Sequence, residues 1–201
     1  MLLLTSNGLS SKELLNCIKS NSNSCNSAVI ITTASVPFKI NDKHIPKLSE
    51  ELNSIGFTVD FFDFDENNPY ELLKYDLIEI NGGNPFYLLN SIRKSGSEAI
   101  IKQIAKNKIL VGISAGAVVL QKNINLIAEH SPEMNDKIRL NDLTGLGITN
   151  IEILPHYQRF IERFEHFEER AKSYETNNNC KVIRIDDGQG VLVFEDSFKI
   201  I

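Results

Sequence analysis

Short runs that are apolar at nearly every position alternate along this chain with longer segments whose apolar residues recur every three or four positions. Leu2 to Thr5, Ala28 to Thr33, Thr58 to Phe64, Leu77 to Ile80, Ile109 to Ile113, Ile151 to Leu154, Val182 to Ile185 and Gly190 to Phe194 have the length and β-branched content of strands. Several are hydrophobic throughout, as strands covered on both faces are. Between them, Ser10 to Lys19, His44 to Ile55, Phe86 to Lys94, Ser97 to Asn107 and Arg159 to Tyr174 carry the helical period, and Gly56 and Gly96 stand as C-terminal stops. This alternation builds βαβ units, so the pattern predicts an α/β sandwich of three layers with a mostly parallel central sheet.

The 201 residues, 42% of them hydrophobic, suit one domain spanning 1–201. A formal net charge of −5 gives no basic field for a phosphate backbone, which argues against nucleic acid as a partner. The apolar start Met1 to Thr5 has no positive leader, and no segment approaches the ~18 apolar residues of a membrane span, so a soluble, cytoplasmic protein is expected. Cys17, Cys25 and Cys180 are sparse and unpaired in spacing, which speaks against a disulfide framework and a zinc site. The polar stretches Asn21 to Asn26 and Thr176 to Asn179 read as surface connections. Glu129 to Leu146 lacks clear periodicity and is expected to be a functional loop.

Chemistry concentrates at Gly112-Ile113-Ser114-Ala115-Gly116, a GxSxG sequence between the strand ending at Ile113 and the small-residue helix Ala115 to Leu120. A tight strand-to-helix turn lifts such a serine out of the sheet and needs small neighbours, which the glycines and Ala115 supply. A second turn, Asn81-Gly82-Gly83-Asn84-Pro85-Phe86, follows the strand ending at Ile80. If the two turns lie side by side, the Gly83 and Ala115 N–H groups form an oxyanion hole.

A serine nucleophile needs a base. His44 and His166 sit in charged helical segments, whereas His156 directly follows an apolar strand and Pro155, at the strand end where functional residues of open α/β sheets gather. His130, in Ala128-Glu129-His130-Ser131-Pro132, is the competitor. For the acid that holds the imidazole, Glu129, at the end of a strand-like run Ile124 to Ala128, competes with Asp136, Asp142 and Glu152, and the residues alone leave the role open.

The set Asn81-Gly82-Gly83-Asn84 with Phe86 and Leu88-Leu89, then Gly112 to Ala117, then Leu154-Pro155-His156-Tyr157 resembles the peptidase E family of serine peptidases. The resemblance runs from the first strand to about His156. It implies a class I glutamine amidotransferase-like (flavodoxin-like) fold with serine in place of cysteine, and a dipeptidase acting on short peptides with an N-terminal aspartate. It assigns Ser114 as nucleophile, His156 as base, and Gly83 and Ala115 as oxyanion donors. The family's acid, fifteen positions after its serine, falls on Glu129, where aspartate is usual. Pro85 and Val118 depart from the threonine and polar residue common at those places. Those two positions stand near the expected substrate, and Asn84 and Arg159 are expected to bind it; Arg159 and Arg163, one helical turn apart, either meet a substrate carboxylate or stand as solvated partners of Glu162 and Glu165.

The mechanism implied is acyl transfer to water through a Ser-His-Glu triad with a small peptide as substrate, no metal and no organic cofactor. Two other classes stand beside it: a small esterase, which shares the elbow, and a catalytically silent amidotransferase-like domain that binds a ligand in the same cleft. Asp60 to Glu66 lacks the glycine and distal glutamate of a calcium loop and reads as a strand entering an acidic turn. The helix Phe160 to Tyr174 reads as an amphipathic surface helix whose face a second copy of the chain could cover as a homodimer.

Overall fold

The computed structural model describes residues 1–22, 26–194 and 197–201; Cys25 lies outside the described residues. In chain order the elements are β1 (Leu2–Thr5), α1 (Lys12–Asn21), β2 (Ser27–Ile31), α2 (Ile45–Ser54), β3 (Thr58–Phe62), β4 (Leu77–Ile80), α3 (Pro85–Lys94), α4 (Glu98–Asn107), β5 (Ile109–Ile113), α5 (Ala115–Val119), α6 (Asn125–His130), β6 (Glu152–Leu154), α7 (Tyr157–Arg163), α8 (Phe167–Asn178), β7 (Val182–Arg184), β8 (Gly190–Val193) and β9 (Phe198–Ile200). Seven strands form one sheet in the order β3-β2-β4-β5-β1-β8-β9. The first five run parallel, and β8 and β9 are antiparallel additions at one side.

Alternation along the central strands sorts their side chains into two cores. Leu3, Ala28, Ile30, Leu77, Val111 and Ile113 face Leu14 and Ile18 of α1 and Ile45, Leu48 and Leu52 of α2. Leu2, Leu4, Val29, Ile31, Ile78, Ile80 and Leu110 face the buried sides of α3, α4 and α5 on the opposite side. The three layers follow from that division, because a strand buried on both faces needs a helical cover on each.

Three local readings change. The run Ile124 to Ala128, read as strand-like, is mostly α6: the Asn123 side chain accepts the Asn125 N–H at 3.0 Å, and Leu126, Ile127 and His130 turn inward at helical spacing. The single helix read from Arg159 to Tyr174 is broken in two, with His166 in a left-handed conformation (φ 54°) at the head of α8. The break lets Phe160, Phe164 and Phe167 stack with centroids 5.2 to 6.0 Å apart. Finally, β6 and β7 do not join the central sheet. They pair with each other in parallel; Leu154 and Val182 join a small core with Leu126, Phe167 and Tyr174, while Ile153 and Ile183 enter the larger core of Leu2 and Leu4.

A carboxylic acid is lodged among the central strands. Glu79, on β4 between Ile30 and Val111, is fully buried, and among the described residues neither carboxyl oxygen has a partner. Burial, reinforced by the nearby Glu51 carboxyl, raises its pKa well above the ordinary 4.5. The folded chain therefore keeps a proton that the unfolded chain releases, and this group's contribution to stability falls as pH rises from about 4.5 until the folded carboxyl itself ionises. Glu79→Gln removes that titration. Its melting temperature is expected to match the wild type near pH 4 and to exceed it increasingly toward pH 7, with a stability difference growing by up to about 1.4 kcal/mol per pH unit; paired melting curves across that range check it.

Candidate active site

Parallel register delivers the loops that matter to one edge of the main sheet. Thr5 is opposite Ile113, Gly112 opposite Ile80, and Ile80 opposite Ile31, so the chain leaves β1, β5, β4 and β2 side by side. Ser114 follows β5 directly, with φ 48° and ψ −109°, a region that costs a non-glycine residue about 1 to 3 kcal/mol. Two backbone bonds hold it there: its N–H donates to Thr5 O at 2.9 Å, and its carbonyl accepts the Val118 N–H at 2.9 Å.

The turns pack so closely that side chains would not fit. A Cβ at Gly116 would stand 2.0 Å from Ile80 O, and one at Gly112 would stand 2.8 Å from Ala117 Cα. Gly82 lies against the serine itself, where an added Cβ would be 3.1 Å from Ser114 Cβ. Gly83 has φ 138° and passes over Ala34, whose carbonyl accepts the Asn84 N–H at 2.8 Å. The two turns expected to be neighbours are therefore in contact. Among the described residues, neither the Gly83 nor the Ala115 N–H donates to a protein acceptor.

The small sheet contributes the rest. In its register Leu154 is opposite Arg184, so the residues leaving β6 and β7 emerge together: Pro155-His156 from one, Ile185-Asp186-Asp187 from the other. His156 Nε2 lies 3.0 Å from Ser114 Oγ, and His156 Nδ1 lies 2.7 Å from Asp187 Oδ1. Ser6 Oγ donates to Asp187 Oδ1 at 2.8 Å and accepts the His156 backbone N–H at 3.0 Å. Arg159, otherwise two-thirds exposed, pairs with the other Asp187 oxygen.

Burial pushes the Asp187 carboxyl up, but hydrogen bonds from Ser6 and His156 and the charges of His156 and Arg159 outweigh it and hold the carboxyl below its ordinary range. An ionised carboxylate only accepts. The proton on the imidazole is therefore assigned to Nδ1, which leaves the Nε2 lone pair facing the Ser114 hydroxyl.

This arrangement displaces Glu129 from the acid's place. Glu129 is an exposed residue of α6, its backbone carbonyl accepts from Arg170, and among the described residues its side chain makes no bond to His156. The other acids considered are also elsewhere: Glu152 is buried with the Tyr174 hydroxyl at 2.9 Å, Asp142 pairs with Arg93, and Asp136 is exposed. Of the competing histidines, His130 is buried against Phe167 with neither ring nitrogen bonded among the described residues, and burial with the nearby Arg170 charge lowers its pKa to about 4. His44 heads α2, and His166 bonds Glu169 at 2.6 Å.

Both polar ends of Asn84 are occupied structurally. Its carbonyl accepts the Phe86 and Tyr87 N–H groups at the start of α3, and its amide donates to Met134 O at 2.7 Å. The irregular segment after α6 is thereby tied to the glycine turn. Asp187 and Ser6 escaped the sequence reading, although Asp187 follows an apolar strand just as His156 does, and that shared strand-end placement was the available signal.

The family model for Peptidase family S51 matches residues 2–201. The chain belongs to peptidase family S51. It is 30% identical over 133 residues to "Uncharacterized peptidase PM1590" of Pasteurella multocida (strain Pm70), covering 65% of this chain and 61% of that protein. It is 32% identical over 111 residues to "Uncharacterized peptidase Lmo0363" of Listeria monocytogenes, covering 53% and 54%. The matches thus span less than two thirds of these curated relatives. Among solved structures it is similar to the "Putative Peptidase E Protein" of Listeria monocytogenes EGD-e, with a TM-score of 0.79 and 25% identity over 100% of this chain and 96% of that one. A peptidase from an acI-B1 Actinobacterium, 21% identical with a TM-score of 0.72 over 100% and 86% of the two chains, shares the fold. The α/β fold anticipated from the peptidase E resemblance is the fold observed. No helix among the described residues is long and apolar enough to cross a membrane.

The close approach of backbone at the elbow sets a stability test. Gly116→Ala, whose methyl group would meet Ile80 O, is expected to destabilise the fold by about 1 to 3 kcal/mol. A chemical denaturation midpoint lowered with unchanged slope would register that loss.

Proposed function

We propose that this S51-family chain is a serine peptidase acting on short peptides, with Ser114 as nucleophile, His156 as general base and Asp187 as the acid that orients it. The observation that carries the reading is the continuous chain of contacts from Ser114 Oγ through His156 to Asp187, at 3.0 and 2.7 Å. The resemblance to peptidase E supports the short-peptide substrate and dipeptidase activity.

In the proposed reaction Ser114 Oγ attacks the scissile carbonyl carbon while its proton passes to His156 Nε2. The carbonyl oxygen becomes an oxyanion facing the Gly83 and Ala115 N–H groups, at the start of α5. Collapse breaks the C–N bond, and Nε2 returns the proton to the leaving amine. Water then gives a proton to Nε2 and adds to the acyl ester; collapse releases the carboxylic acid and restores the Ser114 hydroxyl. Asp187, held ionised, stabilises the imidazolium formed in each half.

Purified protein is to be assayed on Asp-X, Glu-X, Ala-X and Lys-X dipeptides and a simple ester. Ser114→Ala and His156→Ala are expected to lower kcat by roughly 10⁴-fold or more, and Asp187→Asn by roughly 10³- to 10⁴-fold. Glu129→Gln should stay within about twofold of wild type, as a surface substitution does. Activity surviving Ser114→Ala would remove the nucleophile assignment, and loss on Glu129→Gln with retention on Asp187→Asn would return the acid to Glu129. Cleavage of the ester alone would favour an esterase.

A further inference from the structure

The residue joining the two halves of the site is neither of the carboxylates nor the histidine. Ser6 leaves the end of β1 and is completely buried. Its hydroxyl donates to Asp187 Oδ1 at 2.8 Å, accepts the His156 N–H at 3.0 Å, and lies 3.1 Å from His156 Nδ1. Its backbone N–H donates to Gln189 O at 3.2 Å, and the neighbouring Asn7 side chain accepts the Gly188 N–H at 2.9 Å. The turn carrying Asp187 is thus gripped at that residue and at the two that follow it. On the other side, Thr5 accepts the Ser114 N–H. One dipeptide, Thr5-Ser6, therefore touches nucleophile, base and acid.

We propose that Ser6 is a positioning residue of the peptidase site, fixing the Asp187 carboxylate and the left-handed His156 backbone so that Nε2 meets Ser114. The proposal rests on the serine-peptidase reading above. Ser6 touches no reacting atom; it acts through Asp187 and His156.

Three features favour this role over that of an ordinary buried serine. First, the hydroxyl's donor and acceptor capacity is spent on the two members of one functional pair. Second, His156 sits at φ 58° and ψ 33°, outside the usual regions for a side-chain-bearing residue, and the Ser6 hydroxyl bonds the N–H of that same residue. Third, His156 follows β6 of the small sheet, Asp187 stands in the turn that crosses from β7 of that sheet to β8 of the large one, and Ser114 follows β5 of the large sheet, so bonds from the end of β1 to both His156 and Asp187 set their distance from the serine.

The test uses a fluorophosphonate probe, which acylates an activated serine without requiring knowledge of the peptide substrate. Labelling rates are measured across pH for wild type, Ser114→Ala, Ser6→Ala, Asp187→Asn and Ser6→Ala/Asp187→Asn, with melting temperatures recorded in parallel. Ser6→Ala is expected to slow labelling roughly 10- to 100-fold, as loss of a hydrogen bond to a charged group does, and to move the acid limb of the pH profile upward, because Asp187 loses a donor. In the Asp187→Asn background the same substitution should cost less than about threefold, because the two act through one path. Ser6→Ala that labels at the wild-type rate with the wild-type pH profile overturns the proposal, as does a full, additive loss in the Asp187→Asn background. Labelling that is absent in wild type or survives Ser114→Ala overturns the peptidase reading itself; normal Ser114-dependent labelling with an inert Ser6→Ala removes Ser6 alone.

Discussion

Everything near Ser114 depends on backbone approaching backbone at distances that exclude side chains. The serine lies in a conformation unfavourable for a residue bearing a side chain, and it is held there because Gly112, Gly82 and Gly116 let the neighbouring turns close around it. The glycines therefore do not loosen the elbow. They permit a rigid contact between the end of β4 and the start of α5, and the strain at one residue is offset by packing spread over many.

The second constraint is electrostatic. Asp187 is only partly covered, so burial alone would favour its neutral form; three neighbours reverse that outcome by donating hydrogen bonds or positive charge. Glu79 shows the opposite balance within the same fold: it is completely buried, has no partner among the described residues, and its pKa is pushed up. Two carboxyl groups of one chain are shifted in opposite directions because one has donors and the other, among the described residues, has none.

Much of the architecture was legible from periodicity. The central strands are continuous apolar runs because both faces are covered, and such runs cannot be disguised by surface residues. The strand-to-helix turn at Ser114 and the strand-end position of His156 were legible for a related reason: both follow such strands. The carboxylate that meets His156 was not. Glu129 was favoured by a family spacing, but spacing along the chain does not report which strands pair, and the parallel pairing of β6 with β7 brings Asp187 to His156 across 31 positions. The break between α7 and α8 was hidden because Phe160, Phe164 and Phe167 keep helical spacing while stacking around a bend. Ser6 had no signal of its own, since a serine after a strand is ordinary until its partners are known.

The proposed nucleophile is carried by the seven-stranded sheet, its base follows the two-stranded one, and its acid stands in the turn that joins the two. Foldedness and competence are consequently different properties of this molecule. A probe that reads the large sheet and its helices, such as far-ultraviolet dichroism, is nearly blind to a slip of the small sheet by an ångström, and that slip is enough to part Nε2 from the serine. The bonds from Ser6 to His156 and Asp187 lie at that junction, so the assembled site depends on contacts that the larger core alone does not supply.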